Sequence, residues 1–364
     1  MRGALPNFKT PITAEILAGL ACEDEVESRL VSGCRELNNW QAKLGPFDEE
    51  TFTELPDKHW TLLVQDVDKH LPEVHQILEA FRFIPEWRLD DIMVSYAADQ
   101  GSVGPHIDDY DVFLIQGEGK RRWQIHSQEV SEDDYIDGLD LRILPEFNAE
   151  ETWVLEPGDV LYLPPNIAHW GVAEGECLSL SVGFRAPALR DLTTAWCDEI
   201  IEQNVPKQRY RDPELQQQAN FAEITSETTS QISQLMQQFL HQDKHSLQRW
   251  FGRYITEQKE SLSTEPFEDA LETEAFYKKF LAQKKLTRDS YSRMAYAHGE
   301  KVDLLFANGE AFELPAEGSI FLQKITQQRE LQFDDLKIWL DKTCYQELLT
   351  TLHNRGCFFF TTEE

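Results

Sequence analysis

The sequence contains no CxxC pair, no GxSxG elbow and no complete glycine-rich phosphate loop. It also has no uncharged apolar run near the ~18 residues that a membrane helix requires. Its six cysteines, at 22, 34, 177, 197, 344 and 357, are too scattered for a zinc ribbon, a dithiol redox motif or a disulfide scaffold. That usage fits a reducing compartment. The opening MRGALPNFKT lacks an apolar segment followed by a small-residue cleavage site, so a soluble, cytoplasmic protein is expected. Positive charge is scarce: 34 Lys and Arg stand against 65 Asp and Glu, a net charge of −31. Such a surface repels phosphate backbones and anionic lipids, which argues against nucleic-acid and membrane partners. It aids solubility, and it would attract a cationic protein or peptide.

What is present is a chain of 364 residues with 41% hydrophobic and 27% charged residues, enough for two or three domains. The stretch to about residue 90 reads as mainly helical. One helix is expected from Cys22 to Gly33 and another over Asp68–Arg82, with Pro72 near its start. Short β-rich runs follow at 91–97, 111–117, 121–126, 152–158, 159–165 and 178–184. Strands in succession, without intervening helices, indicate a β sandwich or barrel. Gly117-Glu118-Gly119 reads as a hairpin turn, and Glu156-Pro157-Gly158-Asp159 as another turn. Beyond residue 190, helical spacing returns at 191–203, 216–242, 245–258 and 267–282. These helices pack either on the barrel or on a second copy of the chain. The last eighty residues hold two or three strands with an Asn308-Gly309 hairpin turn, then helices and a closing strand at CFFFTTEE. Helices with a small β wing suggest a winged helix. Residues 284–364 nevertheless carry 10 basic and 13 acidic side chains, so a protein contact is expected there rather than nucleic acid.

Chemistry concentrates in SVGPHIDDYDVFLIQGEGKRRWQIH, residues 102–126. His106 and Asp108 lie two apart, which in extended chain points both side chains to one face. Sixty-one positions after Asp108 stands His169, at the end of DVLYLPPNIAH. Strand return in an antiparallel barrel can place it beside the pair. Two imidazoles and a carboxylate on one face form the facial set of non-haem Fe(II) oxygenases, with positions left open for co-substrate and oxygen. Mn(II) or Co(II) would substitute, and the residue types also admit zinc. Alternation puts Arg121, Trp123 and Ile125 on one face of their strand and Lys120, Arg122 and Gln124 on the other. His59, His70 and His75 fall in or near helices and read as ordinary surface or core residues.

GPHIDDYDVFLIQGEGKRRWQI, EPGDVLYLPPNIAHWG and LSVGFRAP together resemble the bacterial JmjC-type ribosomal oxygenases of the cupin superfamily, most densely over residues 80–190. The resemblance implies an α+β protein. Residues 1–195 would comprise N-terminal helices and a double-stranded β-helix (jelly-roll) catalytic core. Residues 196–285 would form a helical dimerisation region, and 286–364 a winged-helix-like domain. It implies His106, Asp108 and His169 as Fe(II) ligands, with 2-oxoglutarate and O2 as co-substrates. Arg121 would pair with the distal carboxylate of 2-oxoglutarate, a fit of guanidinium to carboxylate, and Ser95 would add a hydroxyl. The implied reaction is hydroxylation of an arginine β-carbon in the basic ribosomal protein L-sixteen, with release of succinate and CO2, by a homodimer. Related activities are hydroxylation of a ribosomal histidine or demethylation, and a non-catalytic cupin binding module is the alternative from outside enzymology. The sequence departs from the family at AADQG, 97–101, which adds Asp99, and in the acidic stretch 127–150. Tyr110, Asp111 and Trp170 flank the ligands, either to grip a peptide or to pack.

Overall fold

In the computed structural model, residues 1–35, 39–127, 135–136, 141–202, 210–211, 217, 220, 222–240 and 243–361 are described. Most of the acidic stretch at 128–140, parts of the 216–242 run and the tail 362–364 lie outside them. The chain divides into two compact units, Met1–Ala186 and Pro187–Glu364.

The first unit is built on eight antiparallel strands: β1 (Ser28–Ser32), β2 (Gln41–Leu44), β3 (Trp60–Val64), β4 (Leu89–Ala97), β5 (Val112–His126), β6 (Glu151–Leu155), β7 (Val160–Leu163) and β8 (Ala168–Phe184). Their order is β2-β1-β3-β4-β8-β5-β6, with β7 pairing β5. The first half of β5 carries β7 and its second half carries β6, so one long strand serves both layers of the jelly roll. Two register shifts, between Gln116 and Glu118 and between Glu118 and Lys120, bend it at that junction.

Those shifts correct the hairpin expected at Gly117-Glu118-Gly119. The glycines form a bulge inside a continuous strand. Gly119 has φ +64°, and a Cβ there would stand 2.1 Å from the Glu176 carbonyl oxygen. Glycine is required by the close approach of β8 rather than by a chain reversal. At Glu156-Pro157-Gly158-Asp159 the expected turn is present, closed by Asp159 N–H donating to Glu156 O at 2.9 Å, with Gly158 at φ +86°.

The helix expected from Cys22 to Gly33 is also corrected, since its second half is β1. Adjacent Leu30 and Val31 are both buried, in separate apolar clusters on opposite sides of the sheet. Two-sided burial suits a strand, and pairing with β2 and β3 overrides helical spacing. The helix expected over Asp68–Arg82 is broken. Pro72 forces Leu71 into extended backbone (φ −120°, ψ 110°) and separates α3 (Val67–His70) from α4 (Pro72–His75), which runs into a 3-10 segment at Gln76–Phe81. Two further short helices, α1 (Ala14–Leu20) and α2 (Glu49–Thr53), complete this unit.

Alternation divides β4, β5 and β8 into two faces. Ile92, Val94, Phe113, Ile115, Leu178, Leu180, Val182 and Phe184 face one way, into the largest apolar cluster, with Leu17 of α1 and Val74 of α4. Facing the other way are Ser95, Gln116 and Ser179, all buried and polar. That second face holds the candidate site.

In the second unit, α5 (Leu189–Glu202), α6 (Ser226–Leu240), α7 (Lys244–Thr256) and α8 (Thr273–Gln283) precede two small sheets. One comprises β10 (Met294–Ala297), β11 (Val302–Ala307) and β12 (Glu310–Pro315). The other comprises β9 (Lys285–Arg288), β13 (Glu330–Gln332) and β14 (Phe358–Phe359). Asn308 and Gly309, both at positive φ, turn β11 into β12 as a primed hairpin. The helices α9 (Ser319–Gln327), α10 (Phe333–Leu340) and α11 (Thr343–Asn354) close over a core that includes Phe276, Phe280, Phe321, Phe333 and Tyr345. No helix among the described residues is long and apolar enough to cross a membrane.

Candidate metal centre and co-substrate chamber

His169 is the second residue of β8, so the strand begins before the histidine rather than after it. His106 is drawn to it by backbone. His106 N–H donates to His169 O at 3.0 Å, and His169 N–H donates to His106 O at 2.9 Å. This isolated bridge fixes the two imidazoles 4.3 Å apart between ring centroids. Asp108 is held by Asn166 N–H donating to its carbonyl at 2.8 Å, and its Oδ2 lies 3.5 Å from His169 Nε2. One ligand atom from each of His106, Asp108 and His169 falls within 4.8 Å of the others.

The donor set fits a metal. A carbonyl can only accept, so the ring contacts of 2.9 Å from His106 Nδ1 to Gly104 O and from His169 Nδ1 to Ile167 O place the proton on Nδ1 in both rings. Each Nε2 therefore presents a lone pair, oriented from behind by the backbone. Burial, reinforced by His106 and opposed by Asp108, pushes His169 down to about 4, so the ring is neutral near pH 7. His169 is buried while His106 and Asp108 are half-buried. Three ligands on one side leave positions free for a bidentate co-substrate and oxygen.

Arg121 supplies the second fit. It is 3% exposed, and among the described residues it has no carboxylate partner. Its Nη1 donates to Ser95 Oγ at 3.0 Å and to Ser179 Oγ at 3.5 Å, while its Nε is buried with no acceptor. Ser95 Oγ–H donates to Ser179 O at 3.4 Å, and Ser179 Oγ–H donates to Gln116 Oε1 at 3.2 Å. Desolvation lowers the Arg121 pKa, as it must for a buried cation without a counter-ion. An unpaired guanidinium in a dry interior is costly unless an anion completes it. The face that carries Arg121 and Trp123 is the buried one, whereas Lys120 pairs with Glu156 and Arg122 with Glu174 at partly exposed positions.

The flanking residues divide. Trp170 Nε1 donates to Ser102 Oγ at 2.8 Å, and its ring packs on Phe147 and under the Arg35 guanidinium. Asp111 accepts from Tyr162 at 2.6 Å and pairs with Arg88 at 2.9 Å. Both already have partners within the chain. Tyr110 is partly exposed at its ring, while desolvation at its hydroxyl end, with Asp108, Asp91 and Asp90 nearby, pushes its phenol well above the usual range. Asp99, at the departure from the family pattern, pairs with Lys58 at 2.7 Å and accepts from Gly175 N–H at 2.9 Å, which holds its carboxyl far below the usual range. Sequence reading missed Gln116 and Ser179. Their signal was alternation: each is a polar residue on the second face of an otherwise apolar run, DVFLIQG and LSLSVGF.

A jelly roll carrying an open two-histidine, one-carboxylate set and an unpaired buried guanidinium defines a JmjC-type 2-oxoglutarate oxygenase. The JmjC domain family matches residues 76–192, and the ROXA-like winged helix family matches 234–359. The ribosomal protein uL16 3-hydroxylase of Escherichia coli K12 is 33% identical over 354 residues, spanning 97% of this chain and 92% of that protein. A probable ribosomal oxygenase of Haemophilus influenzae is 40% identical over 195 residues, 53% of this chain and 47% of that one. The solved structure of YcfD, a ribosomal oxygenase from Escherichia coli, in complex with cobalt and 2-oxoglutarate superposes with a TM-score of 0.86 at 32% identity, covering 100% of this chain and 94% of that one. Its complex with cobalt and succinic acid gives 0.85 at 31%, with the same coverage. The chain belongs to the JmjC ribosomal oxygenases.

Proposed function

We propose that this chain is an Fe(II)- and 2-oxoglutarate-dependent hydroxylase of ribosomal protein uL16, the L-sixteen of the large subunit, and that it acts on the β-carbon of an arginine. The observation that carries the reading is Arg121: a buried cation without a counter-ion, on the same strand face that leads to His169. In this reading His106, Asp108 and His169 hold the metal, and Arg121 with Ser95 holds the distal carboxylate of the co-substrate. Bound Fe(II) with 2-oxoglutarate and O2 supplies the oxidising chemistry, in which decarboxylation to succinate and CO2 accompanies insertion of one oxygen atom into a C–H bond. The chain's own contribution is placement. The Nδ1 bonds to Gly104 and Ile167 fix both ligand rings, and the His106–His169 bridge sets their separation. The apolar wall of Val112, Leu114, Trp123, Leu155 and Leu163 excludes water from one side of the chamber.

The substrate assignment rests on the uL16 3-hydroxylase relative and on charge, since a chain of net −31 favours approach of a basic protein. The test is intact-mass and fragmentation analysis of purified uL16 after incubation with the chain, Fe(II), 2-oxoglutarate and oxygen. One added oxygen on an arginine, absent with His106→Ala and Asp108→Ala, is the expected result. Oxygen on a histidine or loss of a methyl group would move the chain to a related activity. No turnover of 2-oxoglutarate with iron bound would leave a binding module.

A homodimer in the cytoplasm completes the reading, with 1–195 as the catalytic part, 196–285 as the dimerisation region and 286–364 as the winged-helix-like part. Its support is α6, which buries none of its side chains and exposes Ile232, Met236 and Leu240 at i, i+4 and i+8. Sedimentation showing a monomer at micromolar concentration would remove the dimer.

A further inference from the structure

The same face inside the first unit holds a further buried donor, the Trp123 indole, that no group among the described residues satisfies. Trp123 is 6% exposed, and its Nε1 has no hydrogen-bond partner among the described residues. Buried indole N–H groups normally find an acceptor, so an orphan calls for an explanation.

Its position supplies one. On β5 the same face carries Arg121, Trp123 and Ile125, which pair across to Ala173, Gly171 and His169 of β8. Directly opposed residues share a face, so the guanidinium, the indole and the metal-ligand imidazole are consecutive along one wall. Two residues of strand span roughly 7 Å, which puts Trp123 midway between the Arg121 rung and the His169 rung. The contacts agree: the Trp123 ring lies 5.3 Å from Arg121 Cζ and 6.0 Å, centroid to centroid, from the His169 ring. A ligand that reaches from the triad to Arg121 must pass this indole.

Gly171 explains how the indole is aimed. A Cβ there would stand 2.8 Å from both Cζ3 and Cη2 of Trp123 and 3.0 Å from Cε3. Those atoms form the ring edge opposite Nε1. The glycine therefore lets the carbocyclic edge seat against β8 and frees the N–H edge from it. Thr61 adds to the pattern. Its hydroxyl is fully buried without a partner, and the pairing of Thr61 with Ala97 and of Ala97 with Cys177 places it on this same face. Arg121 Nε, Trp123 Nε1 and Thr61 Oγ1 are thus three buried polar atoms on this face with no partner among the described residues.

We propose that the Trp123 indole N–H donates a hydrogen bond to a carboxylate oxygen of 2-oxoglutarate, making Trp123 a co-substrate-holding residue beside Ser95 and Arg121. The proposal rests on the reading of this face as the 2-oxoglutarate chamber. A neutral N–H donor and a buried cation together hold the dianion, and the indole, unlike a second cation, carries no charge to strand when the chamber empties.

The test uses the full chain, loaded with Zn(II) and labelled with 15N at its tryptophan indoles, titrated with 2-oxoglutarate. Trp123→Phe keeps an aromatic ring against Gly171 and removes the donor, so its spectrum identifies the Trp123 resonance by loss. At saturation that indole proton is expected to move downfield. Trp123→Phe is expected to bind 2-oxoglutarate about tenfold more weakly, ~1.4 kcal/mol, with Zn(II) affinity within twofold of the parent as the check that the triad is intact. An indole proton that stays in place at saturation overturns the proposal even if affinity falls, because lost packing alone would weaken binding. An unchanged dissociation constant in Trp123→Phe overturns it as well. Failure of the parent chain to bind 2-oxoglutarate would instead remove the co-substrate reading, and this proposal with it.

Discussion

The two faces of β4, β5 and β8 are made by alternating residues of the same three strands, yet they answer to different demands. On one, Ile92, Val94, Ile115, Leu178, Leu180 and Val182 are buried against helices and leave nothing to complete. On the other, Ser95, Gln116, Ser179 and Arg121 are as deeply buried, but the set ends in an unpaired guanidinium. The first face stabilises the fold in the absence of any ligand. The second costs stability until a ligand arrives, and that cost marks it as a site. Burial alone does not separate core from site; hydrogen-bond satisfaction does.

Substitutions should split the two faces cleanly. If Arg121 holds the distal carboxylate as proposed, Arg121→Met removes one partner of a buried charge pair that forms only with ligand. Such losses cost ~2 kcal/mol or more, so 2-oxoglutarate affinity should fall about 30-fold or further, as read by calorimetry on the metal-loaded chain. The ligand-free chain should meanwhile melt no lower than the parent, since a desolvated cation has been removed; a clear drop in Tm would show that Arg121 belongs to the core after all. Leu180→Ala should do the reverse. Deleting a fully buried leucine should cost ~2–5 kcal/mol in denaturant unfolding, while 2-oxoglutarate affinity stays within twofold of the parent. Ser95→Ala, which strips the 3.0 Å acceptor from Arg121, should weaken 2-oxoglutarate by ~1 kcal/mol, about fivefold, with a change in Tm smaller than that of Leu180→Ala. The smallest effect concerns the outer surface. Raising salt from 0.1 M to 1 M shortens the Debye length from ~10 Å to ~3 Å. The apparent KM for the basic ribosomal protein should rise more than that for 2-oxoglutarate, and equal responses would dispose of electrostatic steering.

The fold class and the residues that converge at the candidate site were legible in the sequence, whereas several individual elements were not. His106 and Asp108 announce themselves by i, i+2 spacing, and His169 by its place after a strand. Arg121 stands out because alternation sets it with Trp123 and Ile125, away from Lys120 and Arg122. Those signals are local, and chemistry restricts which residue types can serve. The errors lay where distant chain decides local conformation. Ser28–Ser32 became strand because β2 and β3 flank it on both sides, which no window around Cys22 to Gly33 contains. Gly117 and Gly119 resemble a turn, but the carbonyl of Glu176, 57 positions beyond Gly119, is what requires the glycine. β8 was expected only from 178 to 184 because Gly171, Glu174, Gly175 and Glu176 dilute its alternation. It runs from Ala168, continuous with the histidine it positions. The orphaned Trp123 N–H was invisible for a related reason: alternation shows which way a side chain faces, and never what it meets there.

The central claim, that the polar face of the first unit holds a dicarboxylate between the triad and Arg121, is tested most directly by a double comparison. The dissociation constants of 2-oxoglutarate and of 2-oxopentanoate, which has a methyl group in place of the distal carboxylate, would be measured anaerobically on the Co(II)-loaded parent and on Arg121→Met. The account predicts that the parent prefers 2-oxoglutarate strongly and that Arg121→Met binds the two almost equally. A preference that survives the substitution intact would contradict it.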